Sequence, residues 1–279
     1  MKCITRAIKD YSKAELKDLI TLIPSRDHVG EIMNEPTNVL VNNSLTVHYN
    51  YYPFDLSEIE NVLPLLTFNK NQRMSGITTN TIGINASPRA PLFDNKCAEA
   101  QFRRDFPKQH EKFISLAQIM SKVYQENFKA DFVNQVKNTY SGPTKVDPFY
   151  RIERTPFTSG VINKDSALSY HFDQANTSHG ISCMVIFTKG IAGGELILPQ
   201  LDIGFACQDH FMLLFDGKNY LHGVTPIIKQ ANRKGYRYTI VYYNNKGMKL
   251  CLPPADELLH YQHHIERQAD KKVSKLEEA

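Results

Sequence analysis

What this 279-residue chain lacks narrows its function before any motif is read. No stretch approaches the roughly twenty consecutive apolar residues needed to span a bilayer, and residues 1–10 lack the apolar run of a secretory signal. A soluble, intracellular protein with no membrane partner is expected. Its five cysteines, at positions 3, 97, 183, 207 and 251, form no CxxC pair, and their odd number argues against a complete disulfide framework. A reducing compartment follows. An excess of one charge is also missing: 33 Lys and Arg against 29 Asp and Glu leave +4, which permits nucleic-acid binding without demanding it. There is no internal repeat and no low-complexity segment. No helical interval between 151 and 244 is long enough for repeated βαβ units.

What is present begins with a hydrophobic content of 42%, enough for a substantial core. Ser12-Lys-Ala-Glu15 is a capping box, and Leu16, Leu19, Ile20 and Ile23 follow at helical spacing until Pro24. A second short helix starts at Asp55 to Glu58. Between 107 and 136, Phe113, Leu116, Met120, Val123 and Tyr124 mark one or two longer helices. From Arg151 to Asn244 strand follows strand, with Gly, Asn and Asp at the turns. The expected class is α+β: a mainly antiparallel, cupin-like jelly roll over 150–250, supported by a helical or mixed region over 1–140. After Pro253-Pro254 a C-terminal helix and charged tail occupy 255–279. His260, His263 and His264 are read as the surface of that helix.

Within the strand-rich part, His171-Phe-Asp173, His222 and Arg237 form an ordered set. Residues two apart on a strand share a face, so His171 and Asp173 can enter one cavity, and His222 near a strand start completes a triad. Two histidines and one carboxylate on one face of a metal leave positions open, as non-haem Fe(II) oxygenases require; zinc is the rival metal. Arg237 opens a β-branched and aromatic strand whose alternate residues would line the same interior. A buried guanidinium needs an anion, and it pairs bidentately with a carboxylate, so a dicarboxylate such as 2-oxoglutarate is indicated.

The stretch from Thr155 to Lys249 resembles the Fe(II)/2-oxoglutarate dioxygenases of the TET/JBP group, including small phage, fungal and protist members. The resemblance is carried by Phe157-Thr-Ser-Gly-Val-Ile-Asn163, His171-Phe-Asp173 with Asn176, and Gly193-Gly-Glu-Leu-Ile-Leu-Pro199. It continues through Asp216-Gly with His222-Gly-Val-Thr-Pro226, and Gly235-Tyr-Arg237 leading into Val241-Tyr-Tyr243. A single dioxygenase domain over 1–279 is expected; the resemblance, which covers roughly the C-terminal two fifths well, implies a double-stranded β-helix, iron on His171, Asp173 and His222, and the distal carboxylate of 2-oxoglutarate on Arg237. O2 is the second cosubstrate, ascorbate a stimulant, and Asn163 a contact to cosubstrate or substrate.

The implied reaction is oxidation of the C5 methyl group of 5-methylcytosine or thymine in DNA, in the cytoplasm or nucleus, or in a host cytoplasm if the chain is phage-encoded. Met74-Ser-Gly-Ile-Thr-Thr-Asn80 looks like the stretch that carries a base-reading Asn, here Asn80. Two further base-facing positions fall on Asn176 and Asn245, where a cytosine-reading relative carries an acid and a histidine. An amide can donate to thymine O4 as well as accept from the cytosine amine, so thymine stays open. A base inside a duplex would have to be flipped or presented on a single strand. Basic groups for the backbone are sought in Arg103, Arg104, Lys108 and Lys112, and in Lys229, Arg233 and Lys234. Two other readings remain: a 2-oxoglutarate-dependent hydroxylase of a free nucleoside, another small molecule or a protein side chain, and a noncatalytic nucleic-acid-binding barrel. No protein partner is deducible.

Overall fold

The structure, a computed structural model, describes the chain apart from residues 73–77, 90–94, 142–144, 231–233 and 278–279. Its first half contains β1 (Lys2–Thr5), α1 (Lys13–Thr21), β2 (Glu31–Met33), β3 (Thr37–Val41), β4 (Ser44–Tyr51), α2 (Ser57–Val62), β5 (Asn69–Gln72), β6 (Thr78–Gly83), β7 (Ala86–Pro88), β8 (Cys97–Glu99), α3 (Gln101–Asp105), α4 (Pro107–Asn127) and α5 (Lys129–Tyr140). Then come β9 (Ser159–Lys164), β10 (Leu168–His171), β11 (Ser182–Lys189), β12 (Ile191–Gly193), β13 (Leu196–Leu198), β14 (Ile203–Phe205), β15 (Phe211–Phe215), β16 (His222–Val224), β17 (Ile227–Lys229), β18 (Tyr236–Tyr243) and α6 (Pro254–Glu277).

The helices begin and end where side chains permit. Ser12 caps α1 through the Glu15 amide while the Glu15 carboxylate accepts from the Ser12 amide, the reciprocal capping box read from the sequence. The α4 and α5 helices fill the segment that apolar spacing assigned to one or two long helices.

Two sheets face each other. The larger runs in the order β1-β3-β4-β15-β11-β18-β9-β6-β5, the smaller β10-β16-β13-β14-β2. The central pairs are antiparallel, and among the described residues only β1 with β3 and β2 with β14 run parallel. Alternation along β11 and β18 explains the layering. Cys183, Val185 and Phe187, with Tyr238, Ile240 and Tyr242, turn outward onto the apolar stripe of α4, where Phe113, Leu116, Met120 and Tyr124 are buried. Met184 and Ile186 turn inward onto Leu196, Leu198, Ile203 and Phe205 of the smaller sheet. On the outside of the smaller sheet, Leu16 and Leu19 of α1 cover Tyr170, Ile197 and Leu221.

The N-terminal 140 residues, read as a support, also build sheet. Strands β1, β3 and β4 extend one flank of the larger sheet, β5 and β6 its other edge, and β2 the smaller sheet. Two of the five cysteines are paired: Cys97 of β8 bonds Cys251, 154 residues later and just ahead of α6. No local spacing marks this pair, because only the folded chain brings its ends together. Cys3, Cys183 and Cys207 are free thiols. Among the described residues no helix is long and apolar enough to cross a membrane.

Candidate metal and cosubstrate site

Between the two sheets lies a cavity of about 380 Å³, lined by Leu168, His171, Asp173, Leu196, His222 and Val224 from the smaller-sheet side and by Thr81, Asn163, Met184, Arg237, Thr239 and Val241 from the larger. The four residues singled out by the sequence all border it.

His171 and His222 face each other across the β10–β16 pair, where their Cα atoms are register partners and their ring centroids lie 4.3 Å apart. Each imidazole donates Nδ1–H to a backbone carbonyl two residues earlier, His171 to Ser169 at 2.8 Å and His222 to Tyr220 at 2.9 Å. With Nδ1 as the donor, Nε2 carries the lone pair, the tautomer a metal requires. The two Nε2 atoms lie 3.7 and 3.8 Å from the same oxygen, Oδ1 of Asp173. One ligand atom from each residue falls within 4.8 Å of the others, close enough for a single ion to join them.

Asp173 reaches this point differently from the strand geometry expected. The β10 strand ends at His171, so Asp173 stands in the loop beyond it. Its amide donates to the Gly217 carbonyl at 2.8 Å, and its Oδ2 accepts from the Asn176 amide at 3.3 Å. Asn176 is itself fixed by donating to Ser182 Oγ at 2.9 Å. A Cβ on Gly217 would lie 2.4 Å from Asp173 Oδ2, so glycine leaves the carboxylate the position it occupies. Gly217 was legible only as a turn signal beside Asp216; its role depends on a neighbour 44 residues away in sequence.

Arg237 is 2% exposed at the inward side of β18. Its Nε donates to Cys207 Sγ at 3.2 Å, its backbone amide to Asp165 Oδ1 at 2.8 Å, and its Cδ rests against Gly194. Gly194 has φ +77°, which suits glycine, and a Cβ there would sit 3.0 Å from that Cδ. No carboxylate among the described residues lies within ion-pair distance of the Arg237 guanidinium. A buried cation without a protein counter-charge is the expected partner for an anionic cosubstrate. Burial pushes the nearby Tyr243 phenol up to about 12, and the Asp173 carboxylate adds to the shift, so Tyr243 stays neutral at working pH.

The asparagines separate. Asn163 lines the cavity and donates to Thr239 Oγ1 at 3.3 Å. Asn80 stands one residue out of phase: its Nδ2 donates to the Lys164 carbonyl, while Thr81, opposite Asn163 in the β6–β9 register, borders the cavity. Asn176 borders the cavity, but its amide is spent on Asp173 and Ser182. Asn245 lies behind it, bridged to Asn176 and accepting from the Gly247 amide, and it faces a second cavity.

The basic cluster on α3 and α4 is on the far side of the larger sheet, with Arg103 bound internally and Arg104 and Lys108 exposed. Arg103 binds Glu99, Asn85 and the Phe149 carbonyl, Arg104 pairs with Asp105, and Lys112 lies 3.8 Å from Glu58. Lys229 pairs with Asp165 at 2.8 Å, Lys234 is exposed, and Arg233 lies outside the described residues, as do residues 74–77 of the stretch before Asn80.

The family model for Tet_JBP, the oxygenase domain of the 2OGFeDO superfamily, matches residues 90–246. The chain belongs to this family. It is therefore an Fe(II)/2-oxoglutarate-dependent dioxygenase, and membership in the superfamily implies Fe(II), 2-oxoglutarate and O2. NgTET1, solved in complex with 5mC DNA, superposes with a TM-score of 0.59 at 15% identity, covering 86% of this chain and 94% of that one. This likeness places the Tet_JBP chain in the double-stranded β-helix fold. A 2OG-Fe(II) oxygenase family oxidoreductase from Burkholderia pseudomallei gives 0.45 at 16% identity over 72% of this chain and 86% of that one. The viral collagen prolyl hydroxylase from Paramecium Bursaria Chlorella virus-1, in its 2OG complex, gives 0.37 at 10% identity over 71% and 94%. No curated protein sequence matches this one.

Proposed function

We propose that this Tet_JBP dioxygenase oxidises the C5 methyl group of a pyrimidine, 5-methylcytosine or thymine, in DNA. In this reading His171, Asp173 and His222 hold Fe(II), and Arg237 holds the distal carboxylate of 2-oxoglutarate. The observation that carries it is the convergence, in one cavity, of two imidazoles with Nε2 directed at one carboxylate oxygen and a buried guanidinium that has no carboxylate partner among the described residues. The donor set fits iron, since two nitrogens and one oxygen on one side leave the opposite positions for cosubstrate and O2. NgTET1, a fold neighbour, was solved with 5mC DNA, which supports the choice of substrate class.

Bound there, Fe(II) with 2-oxoglutarate and O2 supplies the oxidising chemistry, and succinate and carbon dioxide leave as cosubstrate products. The protein's own part is placement. Asn176 holds Asp173 Oδ2, leaving Oδ1 toward the imidazoles. Cys207 and Gly194 fix the direction of the Arg237 fork. Met184, Leu196, Phe215 and Val241 line the cavity with apolar surface that keeps water from the reacting methyl group. A base swung into the cavity would meet Asn163 and Thr81 at its larger-sheet wall.

Mass spectrometry of oligonucleotides containing thymine or 5-methylcytosine, incubated with the chain, iron, 2-oxoglutarate and ascorbate, tests the proposal. A mass gain of one oxygen on one of the two bases is expected, lost in His171→Ala. Succinate release triggered by free nucleosides alone, with unmodified DNA, would replace it with the small-molecule reading.

A further inference from the structure

A second cavity, of about 280 Å³, opens next to the metal cleft and shares a wall with it. The segment after Asp173 divides the two: residues 172–176 border the cleft, while Thr177 and Ser178 border the second cavity. This wall is stitched to the end of β18 by the Asn176–Asn245 bridge, by the Thr177 amide to the Asn244 carbonyl at 3.0 Å, and by the Lys246 amide to the Ala175 carbonyl at 2.9 Å. The turn between β15 and β16 contributes to both sides, with Gly217 against the Asp173 carboxylate and Lys218 in the second cavity.

The chemistry of this cavity is one-sided. Among the described residues, Lys218, Lys246 and Lys249 line it, no carboxylate does, and none of the three makes an ion pair. Lys218 Nζ is steadied by Ser178 Oγ at 2.9 Å, which places an ammonium at the rim instead of leaving it to sweep through solvent. Thr177 also borders the cavity, and its buried hydroxyl has no hydrogen-bond partner among the described residues. Three lysines around one cavity, with the Ser178 hydroxyl at its rim, match the charge of a phosphate group, which lysines meet as point charges.

We infer that this cavity binds a phosphodiester of the polynucleotide, holding the strand beside the cleft in which the methyl group is oxidised. The inference rests on the DNA reading above, because a free nucleoside carries no such group. A phosphate seated behind the Asp173–Ser178 wall anchors the backbone while the base turns into the neighbouring cavity, and the anchor is read through charge, independent of base identity.

The test is the salt dependence of binding of a fluorescent single-stranded oligonucleotide to the full chain. Lys246→Gln/Lys249→Gln is compared with the wild type and with Lys13→Gln/Lys17→Gln, which removes the same charge from the exposed side of α1. Loss of one phosphate contact lowers the slope of log affinity against log salt by about 0.7 for a single strand. The pocket variant is expected to lose that slope and about tenfold in affinity at low salt, while the α1 variant keeps both. Affinity and slope within twofold of wild type in the pocket variant overturn the inference. So does a stabilisation by inorganic phosphate that the variant abolishes while its DNA binding is unchanged, which would make this a free-phosphate site. Product analysis on the same samples separates the two claims: binding with the expected slope but no oxidised base defeats the proposed reaction and leaves the phosphate site standing. Absence of DNA binding by the wild-type chain overturns both.

Discussion

Single atoms decide whether the triad can form. Asp173 Oδ1 faces both imidazoles because Oδ2 is held by Asn176 and because Gly217 leaves the space the carboxylate occupies. In Gly217→Ala the added methyl would fall 2.4 Å from Oδ2 and 3.2 Å from Cγ. The nearest atom is the end of a side chain, so the carboxylate swings away and the backbone need not move. The expected result is a roughly 10- to 100-fold loss of iron affinity, typical of disturbing the groups that orient a ligand. Thermal stability of the metal-free protein should change little. Iron titration followed by calorimetry checks the first, a melting curve the second; a variant that binds iron normally would show that the carboxylate is not confined as argued. Histidine, aspartate and arginine were legible in the sequence because their chemistry is written in their side chains. Gly217 was not, since its contribution is an absence of atoms next to a residue 44 positions earlier. Asn80 and Thr81 show the same limit: one step of register moves a side chain from one face of a strand to the other, and no local pattern fixes which of two polar neighbours turns inward.

At the scale of elements, helices announced by caps and apolar spacing appear where the pattern put them, and so does the antiparallel run after Arg151. The N-terminal strands were harder to place. Strands β1, β3 and β4 come from the far end of the chain, and only β4 meets β15, through the packing of Val47 and Tyr49 with Leu213 and Phe215. Long-range pairing of this kind has no signature within a window of a few residues. The Cys97–Cys251 bond is the covalent instance, joining β8 to the segment leading into α6 across 154 residues. It is expected to be detectable by thiol titration in denaturant: three thiols without reductant and five after reduction, since Cys3, Cys183 and Cys207 are free. Reduction should lower unfolding stability by about 2–4 kcal/mol, because the open chain gains the freedom that the closed loop denied it. Five thiols before reduction would mean that the pair stays reduced and that α6 is tied down by Glu257, which accepts from the Lys96 and Leu252 amides, without covalent help.

Across the whole molecule, two imidazoles buried on separate elements couple stability to acid. His48 on β4 and His110 on α4 are both held far below their ordinary value of 6.5, at about 4, chiefly because burial strips water from the charged form. The Arg103 guanidinium adds to the effect at His110. Each is neutral in the folded protein: His48 Nδ1 sits 2.7 Å from Asn38 Oδ1, and His110 Nε2 has no hydrogen-bond partner among the described residues. The folded values are depressed, so between about 6.5 and about 4 the unfolded chain binds protons that the folded chain refuses. Stability is therefore complete above pH 6.5 and falls as the pH drops toward 4, by up to about 1.4 kcal/mol per pH unit for each imidazole. Urea unfolding of metal-free protein from pH 7.5 to 4.5 reads this directly, and working without metal keeps the proposed ligands His171 and His222 from adding a ligand-release effect. A midpoint level above pH 7 and declining below 6.5 is expected, with the decline roughly halved in His48→Asn. A curve flat from pH 7 to 5 would mean that water reaches both rings, and that the larger sheet is less tightly sealed at β4 and α4 than the burial of these residues implies.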